Sequence, residues 1–186
     1  MKRVFDLVVG LITLLFAIIP MLLIALSIRT TSKGAVLYWS DRVGRKNKIF
    51  RMPKFRTMRL DTPELATHLM NTPDAYLSPC GGFLRRSSLD ELPQLFSILK
   101  GDMSFVGPRP ALYNQNNLIL LRTEKGVNEL VPGLTGLAQV NGRDELTIPE
   151  KVKLDVEYLE RQSFWFDMYI LWLTLLKVVR RDGVLH

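Results

Sequence analysis

The sequence predicts a mostly helical α+β fold: one membrane-associated domain with a Pro-kinked N-terminal membrane helix and a small β-hairpin. Three observations predict it. From Leu7 to Ile28 there are 22 residues without a charge, interrupted by Pro20; about 20 such residues suffice to cross a bilayer as a helix. The stretch AVLYWSDRVGRKNKIFRMPKFRTMRL sets apolar and aromatic segments on either side of a polar turn containing Gly44 and Asn47, the pattern of short extended segments joined by a turn. Leu89, Leu92, Phe96 and Leu99 then recur at helical spacing.

Size and charge narrow the function classes. A chain of 186 residues is long enough for one domain with a core and short for two. Its net charge of +7 and pI of about 9.7 point to anionic partners: nucleic acid, an acidic membrane surface or phosphorylated substrates. The lone Cys80 forms no internal disulfide, which suits a cytosolic or redox-indifferent body. His68 and His186 stand far apart and no Cys/His cluster exists, which argues against a zinc site.

The N-terminal run exceeds the usual apolar core of a cleaved signal peptide, about 7–15 residues, although Lys2, Arg3 and the ALS at Ala25–Ser27 imitate one. Pro20 lacks the N–H that would bond to Phe16 O, and its ring crowds that carbonyl, so a kink or break is expected there. Basic residues flank both ends: Lys2 and Arg3 before, Arg29, Lys33, Arg42, Arg45, Lys46 and Lys48 after. The positive-inside rule places both flanks in the cytoplasm. A helix that bends and returns satisfies it, each arm of about 13 residues reaching about 20 Å, or one leaflet. A tilted, kinked spanning helix fits the composition equally well.

Past the hairpin, Asp61 to Pro79 contains Pro63, Pro73 and Pro79 and reads as loop with at most a helical turn. The helix through Leu89–Leu99 ends near Lys100, with Gly101 behind it. GDMSFVGPRP reads as loop, ALYNQNNLILLRTEKG as helix, and VPGLTGLAQVNGRDEL as a segment rich in glycine and turn signals. PEKVKLDVEYLERQ is a helix with proline at N1. The last element, FWFDMYILWLTLLKVVRRDG, has an uncharged stretch too short to span. Aromatics including Trp165 and Trp172 at one end, with Lys177, Arg180 and Arg181 at the other, suit a helix lying at the lipid interface. An ordinary buried core helix suits it equally.

Asp90 and Glu91 stand side by side in RRSSLDELPQLF. One reading is a capping box, Ser88 at the N-cap and Glu91 at N3. Pro93 fits that box badly, because at N5 it would lose a helical hydrogen bond. Either the first turn is bent or the regular helix begins near Pro93; in both cases the carboxylates sit at a helix N-terminus, a natural phosphate site. The other reading is a reaction centre.

Three long motifs bear on that choice: KFRTM (Lys54–Met58), SLDELPQLFSILKGDMSFVGPRP (Ser88–Pro110) and PGLTGLAQVNGR (Pro132–Arg143), in that order after an apolar helix. The chain closely resembles the bacterial sugar transferases, the monotopic phosphoglycosyl transferases, over nearly its whole length and in their minimal catalytic form. The resemblance implies transfer of a phosphosugar from a UDP-sugar to undecaprenyl or another polyprenol phosphate, giving UMP and a polyprenol-diphosphate sugar, with Mg2+ required. Such a step begins the synthesis of a bacterial glycoconjugate. It implies a re-entrant helix over residues 1–30, bent at Pro20, and a cytosolic catalytic domain over 31–186. The enzyme would then work on the cytosolic face of the bacterial inner membrane, among its lipids, as a monomer or a homodimer and without nucleic acid. The family's Asp-Glu dyad falls on Asp90 and Glu91, as catalytic and Mg2+-holding residues. Its phosphate-binding positions fall on Arg85, Arg109 and Arg143, with Lys54 and Arg56 from KFRTM. Where the family often breaks its helix at Ser-Pro, this chain has Ile19-Pro20. Chemistry agrees with the assignment, since a carboxylate attacks a diphosphate only when Mg2+ or arginine forks neutralise the charge. The rival reading is a non-catalytic basic membrane scaffold or a nucleic-acid binder, for which KNKIFRMPKFRTMR mixes basic and aromatic residues.

Overall fold

In the computed structural model the residues described are 1–59, 62, 76–142 and 145–180. The loop expected over residues 61–79 falls mostly outside them. The fold is helical with little sheet, as the sequence predicts. Helix α1 (Lys2–Thr31) runs unbroken through Pro20. The hairpin follows, β1 (Leu37–Val43) against β2 (Ile49–Phe55), in register from Leu37↔Phe55 to Val43↔Ile49. Its turn is tight enough to hold Lys46 and Asn47 at positive φ.

Next come α2 (Gly81–Arg86), a 3-10 turn (Leu89–Glu91), α3 (Gln94–Lys100) and β3 (Ser104–Val106). Gly101, at φ 99°, ends α3 in the left-handed conformation that glycine adopts without strain. α4 (Asn116–Glu124) leads to β4 (Gly133–Thr135) and α5 (Leu137–Asn141), and α6 (Ile148–Arg161) and α7 (Phe164–Arg180) finish the fold. Helix α6 starts on a true capping box, Thr147 with Glu150, which puts Pro149 at N2 rather than N1.

The sequence reading misses α2, α5 and the pairing of β3 with β4. These strands are parallel, Ser104↔Gly133 and Val106↔Thr135, in segments read as loop and turn. Backbone contact is their device. A Cβ on Gly133 would lie 2.1 Å from Gly107 N, and one on Gly136 2.1 Å from Gly107 O. The PGLTG segment therefore lies directly on the GPRP loop, at a distance only glycine permits.

Helix α1 lies along this body rather than projecting from it. Positions Phe5, Asp6, Val9, Gly10, Leu14, Ala17, Met21, Ile24, Ala25 and Ile28 recur every three or four residues and turn inward. The helix is tethered at both ends. At the start, Lys2 Nζ lies 2.6 Å from Asp167 Oδ2, and Arg3 donates to Ile98 O and Leu99 O, closing the last carbonyls of α3. Buried Asp6 accepts from Ser104 Oγ and Phe105 N at β3. At the far end Ile28 is fully buried against Phe55 and Leu84, and Arg56 Nη2 donates to Ser32 O and Oγ. The outer face carries Leu11, Leu15, Phe16, Ile19, Leu22, Leu23 and Leu26, all exposed, and Pro20 lies among them. Side chains of this kind gain about 1.5–3 kcal/mol each on full burial, so this face demands an apolar surrounding.

α7 has one core face and one exposed face. Ile170 and Phe166 are buried in the core with Tyr158, while Trp165, Tyr169, Trp172, Leu175 and Val178 are exposed.

Candidate active site

The carboxylate pair sits on the 3-10 turn between α2 and α3, and Pro93 explains why. Without an N–H, Pro93 cannot donate to Leu89 O; Leu92 N donates there instead, as Glu91 N donates to Ser88 O. The regular helix begins only at Gln94, with Pro93 as its N-cap. Ser88 is held at φ 55°, a left-handed conformation that strains a residue with a Cβ, and its side chain makes no capping hydrogen bond. The capping-box expectation is thereby corrected: the box needs an extended Ser88, and the chain needs a sharp reversal there. A 3-10 turn advances about 120° per residue, so neighbouring Asp90 and Glu91 point in different directions.

Around them gather side chains from three segments. Lys54, from β2, lies 2.8 Å from Glu91 Oε1. Arg109, from the GPRP loop, lies 3.2 Å from the same oxygen. Two prolines stiffen that loop, and Arg122 Nη1 donates to Arg109 O while its Nη2 pairs with buried Asp155 at 2.7 Å. Arg85 closes α2 and donates from Nε to Thr57 Oγ1. Helix α2 reaches that strand end because Gly81 touches it: a Cβ there would lie 2.1 Å from Thr57 O.

Electrostatics follow from burial. Asp90 is 8% exposed, and burial raises its pKa; Lys54 opposes the rise, Glu91 adds to it and Arg85 opposes it. Burial likewise lowers the pKa of Lys54, against the pull of Glu91. The result is two adjoining carboxylates among cations, one of them poorly solvated. That arrangement suits a nucleophile aimed at a phosphorus whose oxygens the cations hold.

The structure thus brings together Asp90, Glu91, Lys54, Arg85 and Arg109. It places Arg56 elsewhere, buried at the C-terminal end of α1. Arg143 lies outside the described residues. Pro20, Trp165 and Trp172 are exposed and far in sequence from the pair. Sequence reasoning missed Arg42, which counted there only as a flanking charge. It is half-buried and electrostatically coupled to Arg109 and Glu91. The signal was strand alternation, which puts Arg42 on the same hairpin face as Ser40, Tyr38 and the partner of Tyr38, Lys54.

The turn also touches α1. Leu89 and Leu92 pack in one apolar cluster with Met21, Ile24 and Ala25. The carboxylates are therefore set immediately beside the apolar helix. Among the described residues no group of three or more His, Cys, Asp and Glu forms a metal cluster.

Comparison with known proteins gives the site a context. Residues 1–181 match the family model described as bacterial sugar transferase. The undecaprenyl-phosphate galactose phosphotransferase of Salmonella typhimurium is 37% identical over 98% of the chain and 41% of its own length. The undecaprenyl-phosphate glucose phosphotransferase of Komagataeibacter xylinus is 40% identical over 94% of the chain and 35% of its own. EpsL of Bacillus subtilis, a sugar transferase, is 38% identical over 99% of the chain and 90% of its own length. The chain spans about two fifths of the length of the first curated relatives it matches.

Proposed function

The chain belongs to the bacterial sugar transferase family, and from that premise we propose that it moves a phosphosugar from a UDP-sugar to undecaprenyl or a related polyprenol phosphate, through a covalent intermediate on Asp90. The observation that carries the reading is the buried Asp90 beside Glu91, ringed by Lys54, Arg85 and Arg109, on a turn packed against an apolar helix. The relatives that act on undecaprenyl phosphate, among them the UDP-glucose:undecaprenyl-phosphate glucose-1-phosphate transferase of Escherichia coli, support the choice of acceptor and donor.

The Asp90 carboxylate attacks the β-phosphorus. An Asp90 O–P bond forms, the bond from that phosphorus to the bridging oxygen breaks, and UMP leaves with the bridging oxygen and the electron pair. The acceptor phosphate oxygen then attacks the same phosphorus, and the Asp90 O–P bond breaks to release the polyprenol-diphosphate sugar. Splitting the transfer suits a site between water and lipid, since the soluble donor and the lipid acceptor need not be bound together. Lys54 and Arg109 fix Glu91, while Arg85 flanks Asp90. Asp90 and Glu91 fit Mg2+ as a hard-cation donor pair, because Mg2+ is commonly held by one or two carboxylates plus substrate phosphates. When bound there, the cation neutralises phosphate charge.

On the membrane, α1 is re-entrant, with the body on the cytosolic face of the inner membrane. Two features support this. Both ends of α1 are bonded to one body, through Lys2 and Arg3 at one end and Ile28 and Ser32 at the other. Its apolar outer face carries Pro20, and a proline bends a helix away from its own side. Trp165 and Trp172 on α7 supply interfacial anchors. The reading is tested by incubating the membrane-bound protein with a panel of UDP-sugars and polyprenol phosphate and measuring UMP. Release dependent on both substrates is expected, and no release with any sugar would overturn it.

A further inference from the structure

Arg42 is unexplained by the account so far. Its side chain leaves β1 beside Ser40 and runs back along the strand: Nε donates to Ser40 Oγ at 3.0 Å and Nη1 to Pro110 O at 3.2 Å. Ser40 is buried, and Pro110 is the residue after Arg109. The guanidinium is therefore clamped, at fixed orientation, between the hairpin and the loop that carries Arg109. Two of its five N–H groups are used, and Nη2 donates to no protein atom among the described residues. A half-buried cation set beside a second cation is unfavourable unless an anion joins them. Burial and then Arg109 push its pKa down to about 10, and Glu91 pulls the other way. It stays charged at neutral pH, and its Nη2 is left open to a further anion.

Lys54 pairs with Glu91 and is also felt by Asp90, whereas the guanidinium groups divide: Arg85 acts on Asp90, and Arg109 and Arg42 on Glu91. The Glu91 side thus holds two guanidinium groups, the Asp90 side one. Resting on the reading of the previous section, we propose that Arg42 and Arg109 together grip the nucleotide-side phosphate of the donor while Asp90 attacks the sugar-side phosphorus. As the bond to the bridging oxygen breaks, its electron pair stays on that oxygen and the nucleotide phosphate passes from one negative charge to two. The guanidinium pair meets the charge where it grows, so the interaction strengthens in the transition state. Arg42 is thus a catalytic residue on the leaving-group side, not only a clamp for the loop.

The test uses the full chain in nanodiscs and UMP as probe. Arg42→Gln should weaken product inhibition by UMP about 10- to 100-fold, the range for loss of a charged hydrogen bond. The same variant should slow UMP release about 10²-fold, with the KM for polyprenol phosphate unchanged. Arg42→Lys, which keeps charge and loses the fork, should fall between. A merely structural Arg42 would lower the melting temperature and leave UMP inhibition of the folded fraction at the wild-type value; that result overturns the proposal. If Arg42→Gln melts early, Arg42→Ala assayed below its melting point with added guanidinium decides: recovered UMP release supports the proposal, and no recovery with unaltered UMP inhibition defeats it. Should wild type neither release UMP nor be inhibited by it, the donor reading itself fails and the proposal falls with it.

Discussion

Replacing Lys2 by methionine tests whether the start of α1 is bonded to the body. Lys2 Nζ lies 2.6 Å from Asp167 Oδ2, 2.9 Å from Val106 O and 3.2 Å from Tyr158 OH. The Asp167 side chain is 6% exposed and that of Lys2 28%. Methionine keeps the volume and removes the charge, leaving Asp167 with the Tyr158 hydroxyl, 2.6 Å away, as its donor. Breaking a buried pair in this way costs about 3–5 kcal/mol. The partial exposure of Lys2 and the surviving Tyr158 bond bring the expectation to about 2–4 kcal/mol. At 2–4 °C per kcal/mol for a chain of this size, the melting temperature in nanodiscs should fall by roughly 5–15 °C. Adding Asp167→Asn should restore part of the loss, since no carboxylate is then orphaned. A Lys2→Met protein melting within about 2 °C of wild type would refute the tether, and with it the physical argument that the N-terminus stays on the side of the body.

Four further outcomes follow from the site. Arg85→Ala and Arg109→Ala should each cut turnover about 10²–10³-fold, measured as UMP release, because each removes compensation of phosphate charge; a change within twofold would take that arginine out of the site. Burial raises the Asp90 pKa, and the nucleophile works ionised, so the rate of adduct formation should fall with decreasing pH at a point above the ordinary aspartate value of about 3.9. The same sign means that ionised Asp90 opposes folding at neutral pH, so Asp90→Asn should melt no lower than wild type while losing turnover. EDTA should abolish turnover and Mg2+ restore it, in line with the two-carboxylate donor set; full activity in EDTA would remove the metal from the mechanism.

Much of the fold was legible because local signals mark it: the length of the 22-residue apolar run, the turn residues Gly44 and Asn47 of the hairpin, the apolar spacing of the helix that ends at Lys100, and the proline at the start of Ile148–Arg161. The strands β3 and β4 carry none: each has three residues, and they are defined by glycine backbones in contact, a tertiary fact without local period. Ser88 shows the limit of a local motif for a related reason. Its sequence matches a capping box, and the reversal into the 3-10 turn overrides that local preference with a left-handed φ of 55°. At the site, the resemblance named five residues that do converge. It could not separate Lys54, on the hairpin face toward Glu91, from Arg56, which is turned to Ser32. Arg42 escaped because its role depends on a clamp to Pro110 that only the folded chain creates.

The central claim is that Asp90 carries the phosphosugar, and intact-protein mass spectrometry tests it most directly. Wild-type protein mixed with a UDP-sugar it turns over, with acceptor withheld, should gain the mass of one phosphosugar and release one equivalent of UMP. The gain should disappear on adding polyprenol phosphate and should be absent in Asp90→Asn. An active wild-type enzyme that never gains this mass, or an Asp90→Asn protein that gains it as wild type does, would contradict the account.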